Sequence, residues 1–255
     1  MSTTPPTESL VELAARKQLP RHQYTDHATV RWIEANRPDF PRHSTAGLSR
    51  ASQRLLQRSA TPTDWWAEAQ VTDSLHGVRH AMRTAALSAL LAEDAGLRDE
   101  ETADLVLAAA LHDCRRLHDR DDRGHGNRAA LWLTRNADAV WGHFGLTATP
   151  LRIDRAATAV RLHDVPYPDF SPDDEADYAR TGWVCDLLKA ADALDRYRQP
   201  KLGWWPDAHQ VRSDAFDRFR ATAFDLVVRS ETAHLAGLGS AGAVFEALRQ
   251  GELIS

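Results

Sequence analysis

Apolar residues recur at intervals of three and four along much of the chain, which is the pattern of helices that bury one face. The longest such stripe predicts a helix from about Asp73 or Ser74 to Gly96, where the glycine ends it. Its apolar members are Leu75, Val78, Met82, Ala86 and Ala89. Strand patterns are scarce, so the sequence favours an all-α fold.

The second stripe ends on a polar pair. A helix is predicted from about Asp99 to Asp113, with Ala108 and Ala109 on its buried face. His112 then takes the position of the next core residue. Burying an imidazole or a carboxylate without a partner is costly, so this pair must be hydrogen-bonded, reached by solvent or bound to a metal.

Further helices are predicted along the rest of the chain. Thr149 and Pro150 suit a helix start, and that helix would run to His163 and Asp164. The next one places Val184, Leu187, Leu188 and Ala191 inward, with Lys189, Asp192 and Arg196 on an adjoining stripe. Two short helices are predicted within residues 46–70, and two more within 211–248, separated at "LAGLGSAG".

The N-terminal part of the chain differs from the rest. Residues 1 to about 25 carry Pro5, Pro6 and Pro20 and few apolar residues, so residues 1–45 are expected to form a loose arm or accessory segment. Residues 46–255 are expected to form one helical domain. We therefore expect an all-α bundle with additional N- and C-terminal helices.

Composition narrows the classes of protein to consider. The chain has 255 residues, enough to bury a core without disulfides. Its two cysteines, Cys114 and Cys185, form no Cys-x-x-Cys pair, which points to a reducing compartment, and no signal peptide or membrane span is recognisable, so we expect a cytoplasmic protein. A net charge of -5 argues against general nucleic-acid binding.

Metal-capable side chains occur beside the buried faces of four predicted helices. They are His76 and His80, then His112 and Asp113, then His163 and Asp164, and finally Asp192 and Asp195. His76 and His80, four residues apart, would share a helix face. Any one of these residues has a structural interpretation as a cap or an ion-pair partner, but four such sets in one domain favour a metal centre between helices.

The segments "HAMRTAALSALLAE", "LAAALHD" and "LLKAADALDR" resemble the HD superfamily of metal-dependent phosphohydrolases, an all-α family. The resemblance covers about residues 74 to 198. It implies the metal ligands His80, His112, Asp113 and Asp192, with His125 and His163 as further ligands for a second ion. The chain departs from the family pattern after the His-Asp pair, where Cys114-Arg115-Arg116 stands in place of an apolar residue, Gly and Lys.

The resemblance implies hydrolysis of a small phosphorylated molecule, with a nucleotide as the leading expectation. An imidazole and carboxylate shell suits one or two divalent ions of Mn, Fe, Co, Ni or Zn. We expect Asp113, Lys189 and Arg196 to take part in catalysis, and Arg116, Arg128, Lys189 and Arg196 to bind the substrate phosphate. Two alternatives stay open, namely a di-iron oxygenase with the same ligand set and a non-catalytic regulatory module.

Overall fold

The computed structural model describes residues 8–41 and 45–255. In these ranges the regular structure is helical and contains no strand, which confirms the predicted all-α fold. The α-helices are α1 (Leu10–Ala15), α2 (His27–Ala35), α3 (Arg50–Leu56), α4 (Val78–Asp94), α5 (Asp99–Leu111), α6 (His125–Arg135), α7 (Ala137–His143), α8 (Pro150–Leu162), α9 (Pro172–Leu194), α10 (Phe216–Leu235) and α11 (Ser240–Gln250). No described helix combines the length and the apolar character needed to cross a membrane.

Helices α4 and α5 form the centre of the bundle. They pack against each other, α9 contacts both of them, α8 contacts α5, and α10 and α11 contact α4. Every residue from Thr102 to Leu111 on α5 is buried, because the helix has neighbours all round. Alanines at 85, 86, 89 and 108–110 let these helices approach closely.

The predicted start of α4 is wrong by several residues. The helix begins at Val78, because residues 72–77 form a tight turn that is closed by a bond from the Val78 N–H to the Thr72 carbonyl, 2.8 Å. A Cβ at Gly77 would lie 2.3 Å from that carbonyl oxygen, so only glycine fits. His76 is therefore in the turn and does not share a helix face with His80.

Other boundaries also differ from the predictions. The helix at 150–162 begins as expected, with the Thr149 hydroxyl accepting from the Arg152 N–H. Helix α9 ends at Leu194, so Arg196 is not on the helix of Asp192 but in the 3₁₀ segment Asp195–Arg198 that follows. In residues 46–70 the second predicted helix is replaced by short 3₁₀ turns, and α6 and α7 have no counterpart among the predicted helices.

The N-terminal segment packs onto the bundle wherever it is described. Val30 and Ile33 of α2 are buried, and α2 contacts α10. The Gln23 N–H donates to the Asp119 carboxylate, 2.8 Å, which ties the segment to the loop after α5. The described part is therefore not a loose arm. Residues 1–7 and 42–44, which complete the predicted segment 1–45, lie outside the described ranges.

A buried network of charged side chains joins α4, α10 and the 3₁₀ segment after α9. Arg79 Nε lies 3.1 Å from both oxygens of Glu231, and Arg83 Nη1 lies 2.7 Å from Glu231 Oε1. Arg83 Nε also donates to Asp195 Oδ1, 2.6 Å. All four side chains are at most 3% exposed. Losing one partner would leave another charge buried and uncompensated.

We predict that Glu231→Gln destabilises the fold in a pH-dependent way. Burial raises the pKa of Glu231, but Arg79 and Arg83 outweigh it and lower that pKa to about 2. The unfolded carboxyl titrates near its ordinary pKa of 4.5, so the stabilisation is complete above that pH and is lost as the pH falls through about 2. At pH 7 the substitution should cost about 3 kcal/mol.

Urea denaturation of the wild type and Glu231→Gln at several pH values between 7 and 2 measures this cost. The difference in unfolding free energy should shrink towards the acid end. Glu246→Gln is the matched control, because its pair with Arg249 is solvent-exposed and should contribute well under about 1 kcal/mol. A cost for Glu231→Gln that is small, or constant with pH, would contradict the role assigned to the network.

Candidate metal centre

Five helix ends meet at one point in the bundle. His80 is in the first turn of α4, His125 is the first residue of α6, and Asp192 is in the last turn of α9. His112 and His163 are the residues that follow the last turns of α5 and α8. His125 thus lies at the start of a helix that was not predicted from the sequence. Side chains at helix ends can converge in this way without burying the polar surface of a whole helix.

The first group of ligands comprises His80, His112 and Asp192. Nε2 of His80 lies 3.0 Å from Nε2 of His112 and 3.3 Å from Oδ1 of Asp192. The distance from His112 Nε2 to Asp192 Oδ1 is 3.8 Å. One ligand atom from each of these residues lies within 4.8 Å of the others. A single ion could therefore contact all three.

A second group lies next to the first. Nε2 of His125 is 3.0 Å from Nε2 of His163 and 2.9 Å from Oδ1 of Asp113. The distance from His163 Nε2 to the same Asp113 oxygen is 3.6 Å. In the set of His112, Asp113 and His163, too, one ligand atom from each residue lies within 4.8 Å of the others. The six sequence-predicted ligands are therefore brought together.

Asp113 lies between the two groups. Its Oδ1 faces His125 and His163, as described above, whereas its Oδ2 is 3.5 Å from His80 Nε2 and 3.8 Å from His112 Nε2. The carboxylate thus presents one oxygen to each group. This is the arrangement by which one carboxylate can bridge two neighbouring cations.

The far nitrogen of each imidazole has a hydrogen-bond acceptor. The acceptors of the four Nδ1 atoms are Asp195 Oδ2 for His80 (2.8 Å), and the carbonyl oxygens of Ala109 for His112 (2.7 Å), Asp122 for His125 (2.8 Å) and Val160 for His163 (2.7 Å). A carbonyl only accepts, so Nδ1 carries the proton and Nε2 keeps its lone pair. For His112, His125 and His163, whose acceptors are carbonyls, the lone pair of Nε2 then faces the neighbouring ligands, and a cation between them relieves this arrangement.

Glycine at position 126 allows the second group to form. A Cβ there would lie 2.7 Å from the Val160 carbonyl oxygen and 3.0 Å from His163 Nδ1. Any larger residue would push α6 away from α8 and separate His125 from His163. Gly126, the second glycine of "RGHGNRAA", is thus part of the site, although the sequence pattern alone did not single it out.

The electrostatics suit a cation. Burial raises the pKa of the Asp113 carboxyl, but Arg116, His112 and His125 outweigh it and hold that pKa well below its usual range. Burial lowers the pKa of His112 to about 3, so this imidazole is neutral at neutral pH. The ligands are therefore an ionised carboxylate and a neutral imidazole, which are the forms that bind metals.

His80 differs in its titration. Burial and Arg198 lower its pKa, but the carboxylates of Asp113, Asp192 and Asp195 outweigh both and raise it to about 9. Without a cation this imidazole holds a proton at neutral pH. Metal binding at the first group must displace that proton, which makes the affinity fall as the pH is lowered.

The predicted substrate-binding cations occupy different positions. Arg116 lies against the second group, with Nη1 3.1 Å from His125 Nε2 and 3.4 Å from Asp113 Oδ1. Arg196 is half-buried, and its one side-chain hydrogen bond among the described residues is a 3.4 Å contact with Gln210. Arg196 therefore keeps most of its donors available to a ligand.

Lys189 and Arg128 are engaged with the protein itself. Lys189 Nζ donates to the carbonyls of His163 (3.0 Å) and Val165 (2.5 Å), and burial lowers its pKa to about 8. It therefore holds the turn that carries His163. The Arg128 guanidinium donates to two backbone carbonyls and to Asp122 Oδ2, 2.7 Å, so it holds the loop whose Asp122 carbonyl orients His125.

Two other sequence candidates lie behind the ligands. Asp195 accepts from Arg83 and His80, so it supports a ligand instead of facing the centre. His76 Nδ1 is 2.9 Å from Asp119 Oδ1, and its ring lies 5.8 Å from the His80 ring.

Arg198 also lies beside the centre, although it was not among the residues predicted from the sequence. Its side chain is 3% exposed and donates through Nε to the carbonyl of Leu75, a residue of the turn before the helix of His80. Its position in "LDRYR", near Asp192, was the available signal.

Two of the cavities near the candidate metal centre share Arg196. The N-terminal cavity, about 830 Å³, is lined by Lys17, His76, Arg116, Arg196, Lys201 and Trp204 among others. The aromatic cavity, about 750 Å³, is lined by His163, Tyr167, Lys189, Asp192, Arg196 and Arg212 among others. Both volumes are within the range of small-molecule sites. The cluster is thus buried but reachable.

Comparison of the chain with protein-family models, curated proteins and solved structures finds no match. The features of the chain that bear on function are therefore the buried His/Asp groups, which can hold a metal ion, and the short motifs that contain them.

Proposed function

We propose that this protein is a metal-dependent phosphohydrolase of the HD type that hydrolyses a phosphoester of a small molecule, a nucleotide being the first class to test. The observation that carries the proposal is the convergence of four imidazole Nε2 atoms on Asp113 and Asp192, with each Nδ1 held by an acceptor. The order of these ligands along the chain is the one that the resemblance implies.

Two divalent ions of Mn, Fe, Co, Ni or Zn fit the donor set. The first would be held by His80, His112 and Asp192, the second by His125 and His163, with Asp113 shared between them. Such an ion would supply a water of lowered pKa and would polarise the phosphoryl oxygens. The two groups of nitrogen and oxygen atoms account for all six proposed ligands.

The chain's own cations would neutralise the phosphate. Arg196 lies at the junction of the two cavities with most of its donors unused. Arg116 is held beside Asp113 and also lines the N-terminal cavity. A phosphate at this junction would contact guanidinium groups from two sides, which is the arrangement that stabilises developing charge in phosphoryl transfer. Lys189 would act by positioning the turn that carries His163.

Metal removal is the first test of the proposed function. Protein purified without chelator should contain a divalent transition metal by elemental analysis and should release phosphate from at least one member of a panel of nucleotides and sugar phosphates. Chelation should abolish this turnover, and adding a divalent ion should restore it. Product formation that requires O₂, with no phosphate released, would support the di-iron oxygenase, and bound metal with no turnover would support a regulatory module.

Substitution of individual ligands should separate the two metal groups. Asp192→Ala removes a carboxylate from the first group, so metal content and rate should fall together. His125→Ala removes an imidazole from the second group only, so metal content should fall towards one ion per chain. Elemental analysis gives the stoichiometry, and circular dichroism checks that both variants stay helical. Full occupancy in either variant would show that the substituted residue is not a ligand.

Arg196→Ala should impair turnover without releasing metal. The guanidinium has no hydrogen bond or ion pair with any of the six ligands, so metal content should stay at the wild-type level. The value of kcat/KM should fall about 10²-fold, the effect of losing a donor to the transition state. Arg98→Ala is the control, because that side chain is 70% exposed and pairs with Glu101. Wild-type kinetics in Arg196→Ala would rule out a contact with the reacting phosphate.

A further inference from the structure

The lysines of this chain are few and are all near the candidate centre. Of 31 basic residues only three are lysines, and the rest are arginines. Lys17 and Lys201 line the N-terminal cavity, and Lys189 lines the aromatic cavity. Since Lys189 is bound to backbone carbonyls, the other two are the lysines available to a ligand.

Lys17 has a backbone conformation that glycine usually adopts. It follows the end of α1 with φ of 60°, in the left-handed region. Its N–H donates to the Ala14 carbonyl, 3.1 Å, and the Gln18 N–H donates to the Leu13 carbonyl, 2.8 Å. These two bonds define a helix end at which glycine is preferred, so a lysine there strains the backbone. Despite this strain, Lys17 brings its amine to the edge of the N-terminal cavity.

The cations of the N-terminal cavity lack protein counter-charges. Neither Lys17 nor Lys201 has a carboxylate oxygen within 4.0 Å among residues 8–41 and 45–255. The two acids of the lining are already bound, since Asp119 accepts from His76 and from the Gln23 N–H. The other acid, Asp121, pairs with Arg123 at 3.1 Å. The cavity is therefore positive without an internal partner.

We propose that the N-terminal cavity binds a second phosphate group of the substrate, held by Lys17 and Lys201, while the reacting phosphate lies at the metal centre. This inference rests on the proposed function for the reacting phosphate and names the substrate class: a small molecule with at least two phosphate groups. Arg196 lines both cavities, so it lies between the two phosphates. Trp204, with Lys201 Nζ 5.2 Å from its ring centre, closes one side of the cavity.

Binding of inorganic pyrophosphate to the full-length protein as purified tests the cavity without using activity. The variant is Lys17→Gly combined with Lys201→Ala. Glycine relieves the strained backbone at position 17, so weaker binding cannot be attributed to misfolding. Calorimetry should show affinity about tenfold lower than in the wild type, as expected for the loss of two charge contacts.

The control is Arg98→Ala combined with Arg249→Ala, which removes the same total charge as the lysine variant. Both arginines are exposed, and they pair with Glu101 and Glu246. It should bind pyrophosphate as the wild type does, and metal content should be equal in all three proteins. Equal affinity in the wild type and the Lys17/Lys201 variant would overturn the second-phosphate site, whatever the activity of the protein.

Kinetics then separate this inference from the proposed function. With adenosine 3′,5′-bisphosphate and adenosine 5′-monophosphate as probes, the ratio of the two kcat/KM values should favour the bisphosphate and should fall about tenfold in the Lys17/Lys201 variant. An unchanged ratio would overturn the inference. Pyrophosphate binding that depends on the two lysines, with no phosphoester hydrolysed under any metal, would instead overturn the proposed hydrolysis and leave the anion site standing.

Discussion

The carboxylate of Asp195 connects the stability of the fold to the geometry of the metal centre. Arg83 donates to it through Nε and Nη2, at 2.6 and 3.0 Å, and His80 Nδ1 lies 2.8 Å from it. Burial raises its pKa, but Arg83, His80 and Arg198 outweigh burial and lower it to about 2. The group therefore stays charged. Because Arg83 is also bound to Glu231, the orientation of a ligand on α4 depends on α10 as well.

Much of the fold and the ligand set follows from local sequence patterns. Helices at 99–111 and 150–162 were predictable from their apolar stripes, and the second also from its Thr149 cap; each stripe continues into an imidazole at the helix end. A polar residue in the next core position is itself the signal of a site. The ordered set of His, His-Asp and Asp then suggested which helix ends meet. Periodicity and chemistry placed metal-capable side chains on four helices, and the resemblance then implied His80 and Asp192, not His76 and Asp195, as ligands.

The remaining features depend on contacts that no local pattern encodes. The turn before α4 is set by the approach of Gly77 to a carbonyl, so His76 could not be placed from helical spacing. The end of α9 at Leu194 likewise moved Arg196 off the predicted stripe. The role of Gly126 follows from the distance between α6 and α8, and that of Lys17 from a segment whose composition suggested an arm. Tertiary packing decides each of these positions.

Asp192 differs from the other proposed ligands in its exposure. Its side chain is 28% exposed and lines the aromatic cavity, whereas the side chains of the other five are at most 7% exposed. Within the first group, Asp192 is therefore the ligand that solvent reaches. Exchange of an ion at the first group would then depend on the movement of this one carboxylate.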